Sequence, residues 1–134
     1  VRSYLKPEVR LADHLAREFV LKRDHYHCRC CGKDGALEWC HILTRAARHL
    51  RWEPDNAVTL CHGDHAYFTD HPEQFRRFIA EILGPDHWDG LKLRQAQAER
   101  RGDRVDVEAV IRGFRELTLT PAELETFRSG AWLG

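Results

Sequence analysis

The residues able to do chemistry crowd between positions 28 and 65. Cys28 and Cys31 form a Cys-x-x-Cys turn followed by Gly32, and Cys61 opens the run Cys61-His62-Gly63-Asp64-His65. Two such turns a few dozen residues apart are how one zinc ion gathers four ligands. The fourth position of that pattern calls for a cysteine and here is Asp64. A carboxylate oxygen ligates zinc, but the site is weaker and more labile than one of four thiolates. Cys30 and His62 are alternative donors for that place. The cysteine count of five is odd, which argues against a disulfide framework. A redox pair or reduced buried thiols are the other readings of the same spacing.

A second group surrounds the segment between the two turns. His41, Asn56 and His65 are residue types able to move a proton, hold a metal or orient a neighbour. An imidazole with a pKa near neutrality takes a proton from water. A divalent metal held by histidine acts as a Lewis acid. An asparagine orients a loop or a base without adding charge. Arg45, Arg48 and Arg51 recur at intervals of three in the same segment. On a nuclease, arginines so placed would meet phosphates and position the duplex without reading its sequence. Each residue alone has a plainer reading: a strand histidine, a turn asparagine, a solvated arginine loop, and for His65 a place as fourth zinc ligand.

These residues need elements to hold them. Residues 7–23 read as an amphipathic helix, with Pro7 in its first turn and Leu11, Leu15 and Phe19 on one face. Residues 37–43 read as a strand, 44–54 as an arginine-rich loop, 56–60 as a second strand and 61–69 as a short helix. His41 then ends the first strand, Asn56 starts the second, and His65 sits on the helix. A hairpin followed by a helix brings the three onto one small surface. The rest reads as helical: from Pro72 to Gly84-Pro85, from about Asp86 to Arg101, and from an Asp106 cap carrying Val107, Val110, Ile111 and Phe114. The capping box Thr120-Pro121-Ala122-Glu123 predicts a last short helix.

Cys28-Arg29-Cys30-Cys31-Gly32, His41-Ile42, Pro54-Asp55-Asn56-Ala57-Val58, Leu60-Cys61 and His65 together resemble the HNH endonucleases, over roughly residues 20–80. They look most like small phage-encoded members with a zinc clamp around the motif. The resemblance implies an α+β fold: a ββα-metal (HNH, His-Me finger) hairpin-plus-helix core stapled by zinc, with flanking α-helices. It implies a zinc-clamped nuclease domain over residues 1–84 and a helical extension over 85–134. His41 is then the general base, Asn56 the orienting residue and His65 a ligand of one catalytic divalent metal (Mg, Mn, Ni or Zn). Cys28, Cys31, Cys61 and Asp64 hold the structural zinc. The residue before the base is commonly Asp or His and ligates the metal; here it is Cys40. Cys40 either ligates a softer metal, or stands by while His41 and His65 share the metal, or leaves the metal weakly held. The implied activity is nicking or cleavage of double-stranded DNA in a bacterial cytoplasm, with the phage DNA-packaging terminase as a partner. The rival expectation is a zinc-stabilised DNA-binding or packaging module with impaired catalysis.

Composition narrows the field. Hydrophobic residues make up 43% of the 134, enough to bury a core, and 21 Lys+Arg balance 21 Asp+Glu. That balance excludes a polybasic tail or an acidic disordered chain. The first 50 residues nevertheless carry ten Lys+Arg against six Asp+Glu, placing positive charge beside the motifs. No apolar run reaches the roughly 18 residues of a membrane span. Charges every few positions near residue 1 predict no secretory h-region, so an intracellular setting with no membrane partner is expected.

Overall fold

The computed structural model describes residues 6–44 and 47–117. Arg45 and the expected helix at Thr120 lie outside them. Among the described residues the fold is mixed α+β, with five α-helices and one two-stranded antiparallel sheet. None of these helices is long and apolar enough to cross a membrane.

Helix α1 spans Pro7–Arg23, with proline at its start, Glu8 in the first turn and Lys22 and Arg23 in the last. It buries Ala12, Ala16, Phe19 and Val20 together with Asp13 and Arg23, while Leu11 and Leu15 of the expected apolar face are half-buried. The two charged residues are buried because they are paired. Arg23 sends Nη1 to the Pro54 carbonyl and Nη2 to the Ala57 carbonyl, each at 2.8 Å. The neighbouring Asp24 carboxylate takes Arg23, Arg29 and the Thr59 amide. The end of α1 is thereby fastened to the second strand. Burial alone would raise the Asp24 pKa, but the two arginines and the amide hold it below 3.8.

The hairpin consists of β1 (Leu37–His41) and β2 (Ala57–Cys61), in register from Leu37 opposite Cys61 to His41 opposite Ala57. The strand ends at His41, two residues sooner than the apolar run to Leu43 suggests. Beyond His41 the chain turns to bond the Asn56 side chain instead of a partner strand. The segment between the strands is not a plain loop: 3-10 turns occupy Arg48–Leu50 and Pro54–Asn56. Asn56 therefore lies in the turn that precedes β2.

Helix α2 (His62–Asp70) follows β2 directly, and α3 (Pro72–Leu83) and α4 (His87–Arg101) come next. Helix α4 stops at Gly102, whose φ of +69° is a left-handed C-cap that favours glycine. Helix α5 (Val107–Glu116) is capped by Asp106, whose side chain accepts from the Ala109 amide at 3.0 Å.

Two cores result. One packs Cys40, Ile42, Leu50, Val58 and Leu60 against Phe75, Phe78, Ile79 and Leu91 of α3 and α4. The other packs Ala12, Ala16, Trp52 and Ile111, with Trp39 and Phe114 against it. Helices α1 and α5 meet there, Phe19 and Phe114 ring to ring at 5.4 Å. Helix α4 is also tied by polar bonds: Arg94 to Asp55 at 2.7 Å, and His87 Nε2 donating to the Asp55 carbonyl at 2.7 Å.

Candidate functional site

The hairpin and the start of α2 carry two separate centres. The first joins Cys28, Cys31, Cys61 and Asp64, whose ligand atoms all lie within 4.8 Å of one another. The Cys28–Cys31 turn is reached from α1 through residues held in the left-handed region, His25 and Tyr26, and closes on Gly32 at φ +80°. The amides of Cys30 and Cys31 point at the Cys28 sulfur at 3.4 and 3.5 Å, and the Asp64 amide points at the Cys61 sulfur at 3.4 Å. Cys61 is also the N-cap of α2. Cys31 and Cys61 sulfurs are 3.8 Å apart, and Cys28 sulfur is 3.2 Å from an Asp64 oxygen. An edge of about 3.8 Å is that of a tetrahedron with metal–sulfur bonds of about 2.3 Å. The donor set thus fits a tetrahedral metal ion, and the cluster could hold one.

The second centre is a cleft of about 450 Å3 between the hairpin, α2 and α3. Cys40, His41, Thr44, His65, Glu73 and Arg76 line it. His41 and His65 come together here from β1 and α2. The His41 Nε2 lies 2.8 Å from the Arg51 carbonyl, and its ring rests on Trp39 at 4.2 Å. A carbonyl only accepts, so Nε2 carries the hydrogen and Nδ1 keeps the lone pair. Burial holds the His41 imidazole below its ordinary pKa, so it is neutral at physiological pH.

The Arg51 carbonyl is itself held in place. Asp13 of α1, 3% exposed, takes both Arg51 Nε and Nη2 at 2.9 and 2.7 Å and Trp52 Nε1 at 2.9 Å. Arg51 is therefore a bidentate partner of Asp13, with its side chain 38% exposed. Arg48 stands exposed in its 3-10 turn.

Asn56 is fully buried and does not face the cleft. Its Oδ1 accepts from the Leu43 amide at 2.7 Å, and its Nδ2 donates to the Leu43 and Leu50 carbonyls at 2.8 and 3.2 Å. It ties the two ends of the inter-strand segment together. Its orienting action falls on backbone.

Cys40 is buried, 3.7 Å from the His41 carbonyl. Burial, reinforced by the charge of Glu38, pushes its thiol up to about 12. The residue that reaches His65 is Glu38: its two oxygens meet His65 Nδ1 at 2.7 Å and His62 Nδ1 at 2.9 Å. The His62 and His65 bonds outweigh desolvation and hold the Glu38 carboxyl below its usual range.

Sequence reasoning passed over Glu38, Asp13 and Arg76. Glu38 could have been found from β-strand alternation, since it shares a strand face with Cys40 two residues on. Arg76 of α3 lies over the Trp88 ring at 5.2 Å and bonds Asp89 at 3.2 Å. His49, left without a role by the sequence, packs α4 against the hairpin segment by accepting from Gln95 and donating to the Asp103 carbonyl. A larger hollow of about 670 Å3 involves Trp52, Ala98, Val110 and Phe114 and contains neither His41 nor His65.

No protein-family model, curated protein or solved structure matches this chain.

Proposed function

We propose that this chain is a metal-dependent HNH-type endonuclease that nicks or cleaves double-stranded DNA. The observation that carries the proposal is the state of His41. It is a neutral imidazole in a cleft, its Nε2–H spent on the Arg51 carbonyl and its Nδ1 left basic, beside a second histidine from the following helix.

The residues act as follows. His41 Nδ1 takes a proton from a water molecule, whose oxygen attacks phosphorus; the bond from phosphorus to the leaving sugar oxygen breaks, that oxygen takes a proton from solvent, and His41 returns its own proton to solvent. Arg76, at the cleft wall, pairs with phosphate. His65 would hold a divalent cation, and that cation would supply charge neutralisation at the phosphate and at the leaving oxygen. Asn56 keeps the segment that presents the Arg51 carbonyl in one path. In the same reading Cys28, Cys31, Cys61 and Asp64 would hold a zinc ion, which would fix the start of α2, and His65 with it.

A second reading has one observation in its favour. Cys40 stands where a hard oxygen or imidazole ligand is expected, and its thiol is buried and protonated. A DNA-binding module with weak metal capture and no cleavage follows from that residue.

Nicking of supercoiled plasmid decides between them, with Mg, Mn, Ni or Zn added in turn. Metal-dependent open-circle product, lost in His41→Ala and in chelator, is the expected result. DNA binding with no nicking under any metal, at intact zinc content, would reject the enzyme.

A further inference from the structure

We infer that Glu38 is the positioning residue for the metal-holding histidine, setting His65 so that its Nε2 is the donor. This rests on the reading of His65 as a metal ligand and says how the chain prepares it.

A carboxylate 2.7 Å from His65 Nδ1 can only accept there, so Nδ1 carries the hydrogen. The lone pair of the neutral ring is then on Nε2. A hydrogen-bonded carboxylate also makes the opposite nitrogen a stronger donor, the arrangement by which metal-binding histidines are commonly oriented. His65 is one-third exposed and lines the cleft, whereas Glu38 does not. The carboxylate thus lies behind the ring, and the cleft lies before it.

The placement follows from the fold. Glu38 pairs with Leu60 across the hairpin, and α2 begins two residues after Leu60. The first turn of α2 therefore passes over Glu38, bringing His62 and His65 to it at i and i+3. His62 takes the other oxygen at 2.9 Å with its side chain 75% exposed. It is a rim group that holds the carboxylate in orientation. His41 is prepared the same way by the Arg51 carbonyl, but with the opposite nitrogen left free. One backbone acceptor and one carboxylate thus leave Nδ1 of the base and Nε2 of the ligand as the two lone pairs.

The test is calorimetric titration of the zinc-loaded protein with Ni2+, which suits imidazole, using wild type, Glu38→Gln, Glu38→Leu and His65→Ala. The expected result is a nickel site lost in His65→Ala. Affinity should fall in the order wild type, Gln, Leu, by about 10- to 100-fold at Leu. A merely structural role would not grade with acceptor strength at an unchanged melting temperature. Where plasmid is nicked, the nickel concentration for half-maximal rate should rise in parallel while the saturated rate is retained. Equal nickel affinity in wild type and Glu38→Leu, or a nickel site surviving in His65→Ala, would overturn the inference even if nicking persists. Graded nickel binding without nicking would uphold it and reject the nuclease instead.

Discussion

Replacing Asn56 by alanine removes three hydrogen bonds from a side chain with no exposed surface. Each such bond contributes about 1 kcal/mol net, so their loss costs about 3 kcal/mol. That is a large part of the roughly 5–15 kcal/mol that holds a domain of this size. It corresponds to a fall of about 10 °C in Tm. The effect on activity should exceed the effect on folding. Leu50 immediately precedes Arg51, and the Arg51 carbonyl fixes His41. Freed from Asn56, the carbonyl loses its place and His41 its single orientation. Urea unfolding followed by tryptophan fluorescence gives the stability. Nicking measured well below the melt, per folded molecule, gives the positioning effect. Asn56→Asp is the informative companion: it keeps an acceptor for the Leu43 amide but sets a charged oxygen against two carbonyls, and should destabilise as much. A loss within about 0.5 kcal/mol of wild type, or an unchanged rate per folded molecule, would refute this account.

Three further outcomes are expected. Chelation should lower the melting temperature of the wild type, and Cys61→Ser should both lose the metal and abolish that sensitivity; metal analysis beside thermal melts checks it. Asp24 has a folded pKa below 3.8, so its contribution is present at neutral pH and lost as pH falls through the folded value. Asp24→Asn should therefore flatten the acid limb of the urea midpoint below about pH 4. At neutral pH it should cost about 3–5 kcal/mol, because it leaves the Arg23 charge buried. Arg76→Ala should weaken DNA binding evenly across sequences and reduce the salt slope of log K by about 1, read by titration at several salt concentrations.

Local signals were the readable ones. Pro7, Pro72 and Asp106 mark helix starts, and the helices begin there or one residue on. The spacing of Cys28, Cys31, Cys61 and Asp64 suffices to group them, because each pair sits on one turn and the hairpin register sets the turns side by side. What stayed hidden depends on placement across the chain. Asp13 and Arg51 are 38 positions apart, and only the docking of α1 on the hairpin segment joins them. The sequence reads Arg51 as a phosphate ligand and gives no sign of that partner. Arg76 reads as one charge on a helix face until α3 folds against the hairpin and α2. The buried place of Asn56 was equally out of reach, since a turn asparagine in solvent has the same sequence.

The meeting of α1 with α5 bears on the order in which the chain folds. Phe19 and Phe114 are 95 positions apart. Bringing such distant segments together costs about 4 kcal/mol of loop entropy if nothing between them is ordered. The hairpin and α2, by contrast, close over a few dozen residues. Contacts of short range form first and those of long range later. The cleft and the cysteine cluster should therefore take shape before α5 arrives, with the α1–α5 contact completing a structure that already holds its chemistry. A folding nucleus in the hairpin would show as slowed refolding in Val58→Ala. Phe114→Ala would instead speed unfolding.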